Sequence, residues 1–284
     1  MPKQQVHVEL SGGIGNQLFQ YAAALGLSRR LSAELVLDVS WYQRALRQGP
    51  SRFLELETCL ETGTGPQRSS TRSPYWRHFD WLLRHQLVLR DDNTTPDEFL
   101  SISTSRNIRL KGYWQNRNYF APIASHLLDS FRRSLFISSS SLEVLQDISH
   151  STALGVHVRR GDYVMDPRTR AYHGVCDMSY YHRAVNNVCA ATHVDRIFVF
   201  SDDVEWCKKN IHFDVESTIV SGSIPDTDQL KLLARCQHHV ISNSSYSWWA
   251  AWFGQSESQV VMFPKRWFAD GRGLEDPPAR WSPV

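Results

Sequence analysis

This 284-residue chain lacks most of the features that assign a function at sight. Its five cysteines (Cys59, Cys176, Cys189, Cys207 and Cys236) are odd in number and widely spaced, and without a C-x-x-C pair they indicate neither zinc nor redox chemistry. They read as reduced thiols in a core. No apolar run approaches the roughly 18 residues of a membrane span, and Met1-Pro-Lys-Gln-Gln5 runs into a strand without the pattern of a signal peptide. The expectation is a cytoplasmic protein, touching a bacterial inner membrane at most peripherally. Net charge is only +2, with no basic stripe, which argues against nucleic acid as a partner. Neither G-x-G-x-x-G nor a Walker A motif is found, and no repeat of solenoid period.

What is there describes an α/β protein. Hydrophobic residues make up 42% and charged ones 21%, the balance of a globular chain, and the length suits two domains with a boundary near residue 150. Near the start, the alternating Val6–Leu10 gives way to a glycine turn and a helical pattern over 16–27, and Glu34–Asp38 supplies a second strand. The stretch from 41 to 107 is poorer in pattern, with an apolar helix candidate at 75–87 and a loop at 91–96. Strand character resumes over 108–114, helices fill 116–149, and the serines at 138–141 read as a turn and helix cap. Beyond 153 the alternation sharpens. Strands at 153–158, 196–200, 217–220, 239–242 and 259–263 are interleaved with helices at 178–191, 203–210, 226–236 and 245–253, the pattern of a doubly wound parallel sheet.

The chemistry collects at the ends of these strands. His157-Val-Arg-Arg-Gly-Asp-Tyr163 places adjacent guanidinium groups at the mouth of a buried strand, where forked donors match phosphate oxygens. A plain ion pair of Arg159 or Arg160 with Asp162 is the alternative. Ser201-Asp-Asp203 ends the next strand and allows three readings: a base or ribose reader, a helix N-cap, or a metal site, the last disfavoured because so few oxygen ligands accompany the pair. Asn243-Ser-Ser-Tyr246 opens a helix with hydroxyls and amides suited to an anion, while Trp248, Trp249 and Trp252 read as core. Asp226 and Asp228 read as acidic capping of their helix. In the first domain, Gly13 and Gly15 let backbone approach an anion, and Asn16 and Gln17 add amide donors at the turn exit. Arginines, aspartates and a serine-opened helix at one sheet edge outline a nucleoside diphosphate site.

Five ordered segments resemble the inverting α-1,2-fucosyltransferases of glycosyltransferase family 11. They are G-G-I-G-N-Q-L-F-Q-Y-A at 12–22, H-V-R-R-G-D-Y at 157–163, V-F-S-D-D at 199–203, a looser match over 226–232, and S-N-S-S-Y-S-W-W-A-A-W at 242–252. The resemblance implies the GT-B architecture, two Rossmann-like domains facing across a cleft. Residues 1–150 would form the acceptor side and contribute a donor-contacting glycine turn, and 151–284 would bind GDP-fucose. It further implies transfer of L-fucose from GDP-β-L-fucose to the 2-hydroxyl of a terminal galactose on an oligosaccharide or glycolipid, by single displacement and without a divalent metal or other cofactor. By position, Arg159 would contact the β-phosphate with His157 and Arg160 beside it, and Asp162 and Tyr163 would shape the loop. Asp202 or Asp203 would lie near the guanosine, and Ser244, Ser245 and Tyr246 near the pyrophosphate, with Gly13, Gly15, Asn16 and Gln17 entering from the other domain. Asp162 ranks ahead of His157 as general base, although an oxocarbenium-like transition state needs little such help. The rival readings are a GDP-fucose transferase of another linkage and a nucleotide-sugar binding module without turnover.

Overall fold

The computed structural model describes residues 3–45, 53–60, 67–69, 86–134 and 136–284, with the backbone alone at 44, 45 and 67–69. The helix expected at 75–87 lies outside these residues apart from its last two. The chain divides into two compact units, Met1–Ser134 and Leu135–Val284. This division falls before residue 150 because the helix at Leu142–Ser149 packs within the second unit, against the helix at Asp226–Arg235.

The first unit holds a parallel sheet of β1 (Gln5–Glu9), β2 (Glu34–Asp38), β3 (Gln67–Ser69), β4 (Leu87–Arg90) and β5 (Ile108–Lys111), in the order β3-β2-β1-β5-β4. Its helices are α1 (Ile14–Arg30), α2 (Ser40–Ala45), α3 (Leu56–Cys59), α4 (Pro96–Ser101) and α5 (Ala124–Arg133). The α1 helix buries Leu18, Tyr21, Ala22 and Leu27, and Arg29 and Arg30 in its last turn complement the negative end of its dipole. Part of the loop expected at 91–96 is a helix start: Thr95 and Glu98 form a reciprocal capping box with Pro96 in the first turn of α4. Between β5 and α5 the expected helix is two 3-10 turns, Arg117–Tyr119 and Ala121–Ile123.

The second unit holds α6 (Leu142–Ser149), β6 (Ala153–Val158), α7 (Gly161–Met165), α8 (Pro167–His173), α9 (Met178–Ala191), β7 (Arg196–Ser201), α10 (Val204–Asn210) and β8 (Ser217–Ile219). It continues with α11 (Asp226–Arg235), β9 (His238–Val240), α12 (Ser245–Phe253), β10 (Val261–Phe263) and β11 (Trp281–Pro283). All six strands are parallel, in the order β11-β10-β9-β6-β7-β8. Every residue of β6 is buried, as a central strand covered on both faces requires, and at Gly155 a Cβ would lie 2.5 Å from Leu233 Cδ1 of α11. The strand order reverses between β6 and β9. In open sheets of this kind ligands bind beyond the carboxyl ends of the strands at that reversal.

The cysteines are free thiols, three of them buried, and Trp248, Trp249 and Trp252 are core residues. The serines at 138–141 do not cap α6 through their side chains. Ser138 donates through its amide (2.9 Å) and hydroxyl (2.5 Å) to Asp228 Oδ2, and Ser141 through its hydroxyl (2.8 Å). Asp228 thus anchors this turn to α11 and does not cap its own helix. Among the described residues no helix is long and apolar enough to cross a membrane.

Candidate functional site

The β6–β7 register sets the site. Val158 lies opposite Ser201, so Arg159 and Asp202 leave neighbouring strands side by side at the same edge. Asp202 then holds both arginines: its Oδ2 lies 3.0 Å from Arg159 Nη1, and its Oδ1 accepts the Arg160 amide at 2.9 Å. Asp162 closes the other arm of Arg159, Nη2 to Oδ1 at 2.6 Å. Burial alone would lower the Arg159 pKa, but Asp202 and Asp162 outweigh it and raise it, so the guanidinium is charged at any working pH. Its Nε is buried and has no hydrogen-bond partner among the described residues.

Arg160 is fixed differently. Its Nε donates to Asp203 Oδ2 at 3.1 Å, and its guanidinium carbon stands 3.8 Å from the centre of the Trp206 ring, a cation–π contact. Asp203 Oδ1 meanwhile accepts the Trp206 amide and caps α10. The cap reading of the Asp202–Asp203 pair and the ion-pair reading of the arginines are both realised, in one network.

His157, the fifth residue of β6, is buried, with Nδ1 2.8 Å from Ser242 Oγ and its ring stacked on Tyr246 at 5.1 Å. Burial first, and then the charge of Arg159, lowers its pKa to about 3. It is a neutral imidazole. Tyr163 donates to the Asn243 carbonyl at 3.1 Å, and burial raises its pKa, so the phenol keeps its proton. Ser244 caps α12 by accepting the Tyr246 amide, Ser245 opens the helix, and Tyr246 Oη donates to the Asp226 carbonyl at 2.6 Å. The structure thus brings His157, Arg159, Arg160, Asp162, Tyr163, Asp202, Asp203, Ser244, Ser245 and Tyr246 to the carboxyl edge of one sheet, around its reversal.

The predicted residues of the first unit behave less uniformly. Gly12, at φ +77°, makes the turn; Gly13 is the N-cap of α1, and Gly15 lies in its first turn. Asn16 Oδ1 accepts from Gln115 Nε2 at 2.8 Å. Gln17, expected as an amide donor at the turn exit, is instead fully buried and spent on backbone. Its Oε1 accepts the amides of Glu55 and Leu56, and its Nε2 donates to the carbonyls of Phe53 and Gly12.

Trp206, Ser242 and His173 were not singled out by sequence, and Asn243 was named only as the residue that begins the serine motif. Asn243 Nδ2 donates to the carbonyls of His173 (2.7 Å) and Trp267 (3.1 Å), and the His173 ring lies parallel to that of Tyr163 at 4.6 Å. Ser242 and Asn243 sit inside the quoted serine motif, where their position after a strand was the available signal. Trp206 is one turn beyond a capping aspartate, a spacing that places it over the helix start. His173 lies in a stretch without periodicity and gave no signal.

Comparison with known proteins agrees with this architecture. The chain is 30% identical to the O-antigen biosynthesis glycosyltransferase WbnK of Escherichia coli, over 92% of this chain and 94% of the relative. It is 29% identical to an alpha-1,2-colitosyltransferase of Escherichia coli, over 93% and 92%. A galactoside 2-alpha-L-fucosyltransferase, SEC1 of Bos taurus, is 29% identical over 86% of this chain but only 63% of its own length. Among solved structures, the fold resembles fucosyltransferase NodZ from Bradyrhizobium (TM-score 0.52, 14% identity, 88% and 93% coverage). It also resembles an Arabidopsis thaliana FUT1 mutant in complex with GDP (TM-score 0.54, 12% identity, 96% and 73% coverage). The fold is α/β of the GT-B class, each unit carrying its own parallel sheet. With residues 67–276 matching the model of glycosyl transferase family 11, the chain belongs to that family of transferases.

Proposed function

We propose that this protein is a galactoside α-1,2-fucosyltransferase, moving L-fucose from GDP-β-L-fucose to the 2-hydroxyl of a terminal galactose with inversion and without a divalent metal. The observation that carries the reading is Arg159, a permanent cation gripped by Asp162 and Asp202 at the reversal of the second sheet. In the reaction, the galactose oxygen forms a bond to fucose C1 as the bond from C1 to the phosphate oxygen breaks, and the electron pair leaves with GDP. Negative charge grows on the β-phosphate, and a preorganised guanidinium stabilises it without reorganisation at that moment. Arg160 and the Ser244–Tyr246 helix start supply further donors. Asp202 and Asp203 act on the donor through the arginines they hold.

The proton of the attacking hydroxyl goes to Asp162, 37% exposed at the mouth of the site, in preference to His157, whose pKa of about 3 makes it a poor base. The acceptor is a free or lipid-linked oligosaccharide on the cytoplasmic side. One relative named for colitosyl transfer, similar along nearly its whole length, supports a second donor reading, GDP-colitose in place of GDP-fucose.

The test is to incubate the protein and its Arg159→Ala variant with each donor and a panel of galactosides in chelator, then determine the linkage formed. An α-1,2-fucosyl product from the native chain alone is the expected outcome. Another linkage, GDP binding without donor consumption, preference for GDP-colitose, or full turnover by Arg159→Ala would each replace part of this reading.

A further inference from the structure

The strand order of the first sheet also reverses, between β1 and β5. The loop after β5, Gly112-Tyr-Trp-Gln-Asn116, is held there in an unusual shape. Trp114 has φ +58°, a left-handed conformation that costs a bulky residue energy unless its surroundings fix it. Here they do. The Trp114 side chain is fully buried against Phe99 and Tyr119, at 5.1 and 5.0 Å between ring centres. Asp91, at the end of β4, accepts the amides of Tyr113 (2.6 Å) and Trp114 (3.1 Å). The same carboxylate fills the space beside Gly112, where a Cβ would lie 1.9 Å from Oδ1.

The strain has a visible product. Trp114 turns inward, and the residue before it is turned out: Tyr113 is 47% exposed. Gln115, one residue beyond Trp114, donates to Asn16 Oδ1 in the first turn of α1, so an exposed aromatic ring and a neutral amide share the loop after β5, with a second amide beside it, at the carboxyl edge of the sheet. A few convergent polar groups beside an aromatic surface are the usual makings of a small-molecule site.

We infer that Tyr113 and Gln115 form the acceptor subsite, with the Tyr113 ring stacking on the apolar face of a terminal galactopyranose and the Gln115 amide bonding its hydroxyls. A neutral sugar fits because both groups are uncharged and because galactose presents C3–H, C4–H and C5–H on one face, which an aromatic ring covers. The choice of galactose rests on the function proposed above; the placement of a pyranose on this loop does not.

Lactose is the probe, and it is read in two ways. Saturation-transfer NMR in the presence of GDP reports lactose binding directly, and initial rates with GDP-fucose report its KM. Tyr113→Ala should raise the lactose Kd and KM by about tenfold or more. Tyr113→Trp should retain native binding, since it preserves an aromatic face, and the GDP affinity of Tyr113→Ala should stay within about twofold of native. Because Tyr113 is exposed, melting temperature separates this loss from misfolding. Native lactose binding in Tyr113→Ala would overturn the inference even if fucose transfer proceeds. Lactose binding lost on removing Tyr113, in a chain that transfers no fucose, would sustain the subsite and defeat the proposed reaction. A native protein that binds neither lactose nor any other galactoside would overturn both.

Discussion

The Asp202 carboxylate occupies the space that a side chain at Gly161 would need: a Cβ there would lie 2.4 Å from Asp202 Oδ2, the oxygen that holds Arg159 Nη1. The glycine of the R-R-G-D motif is therefore a spacing device for the Arg159–Asp202 pair. Gly161→Ala should fold but push the carboxylate off the guanidinium. A displacement of that order in a positioning contact costs up to about a hundredfold in rate. Steady-state kinetics of the variant would check it, and turnover within twofold of native would show that Arg159 does not depend on this clamp.

Arg159 makes two directional bonds with two carboxylates, one from each Nη. A lysine keeps the charge but cannot hold both partners in one plane. Arg159→Lys should lose activity nearly as completely as Arg159→Ala, by about a hundredfold or more in kcat. If Arg159→Lys instead keeps most of its rate, charge alone suffices and the forked geometry is incidental.

Much of this arrangement was legible from residue order. Buried parallel strands read as apolar runs ending in polar residues, so β6 and β7 and the Arg159, Asp202 and Ser244 groups at the strand ends stood out, and helices α9 and α12 were placed to the residue. The helices α7 and α8 were not, because they are short, and α8 buries none of its residues, so no apolar periodicity marks it. The strand β11 escaped for another reason. It ends in Pro283, which has no amide to donate, and a sheet accepts such a strand only at its edge, where β11 lies. Gln17 was misjudged because a polar residue beside a glycine turn looks like a ligand donor, and only tertiary structure shows four backbone groups waiting for it.

That framing role gives a stability prediction. Removing Gln17 in Gln17→Ala leaves the buried Leu56 amide and the part-buried Glu55 amide and Phe53 carbonyl short of a partner, while the Gly12 carbonyl keeps the Tyr42 hydroxyl. A buried unsatisfied group costs about 1–3 kcal/mol and a part-buried one less, so the first unit should lose about 1–3 kcal/mol in urea unfolding. Gln17→Glu should also destabilise, since a carboxylate accepts the two amides but cannot donate to the two carbonyls. A Gln17→Ala variant as stable as the native chain would show that these bonds add no net stability.

Acid sensitivity should follow from His157. Its pKa falls from 6.5 to about 3 on folding, chiefly through burial and then through Arg159. Below pH 6.5 the unfolded chain takes up a proton that the folded chain refuses until about pH 3, so unfolding is favoured as the pH drops through that window. The stability conferred by a neutral, buried His157 is complete above pH 6.5 and is lost progressively below it. The slope from one such group approaches about 1.4 kcal/mol per pH unit. His239, buried and lowered to about 4, adds in the same direction. Urea unfolding between pH 7 and 4.5 should therefore show stability falling with pH, and His157→Gln, which has no proton to gain, should flatten the fall by one proton while His239 keeps its share. An unchanged slope in His157→Gln would mean that His157 is not held neutral, and that the cation of Arg159 does not stand beside an uncharged ring.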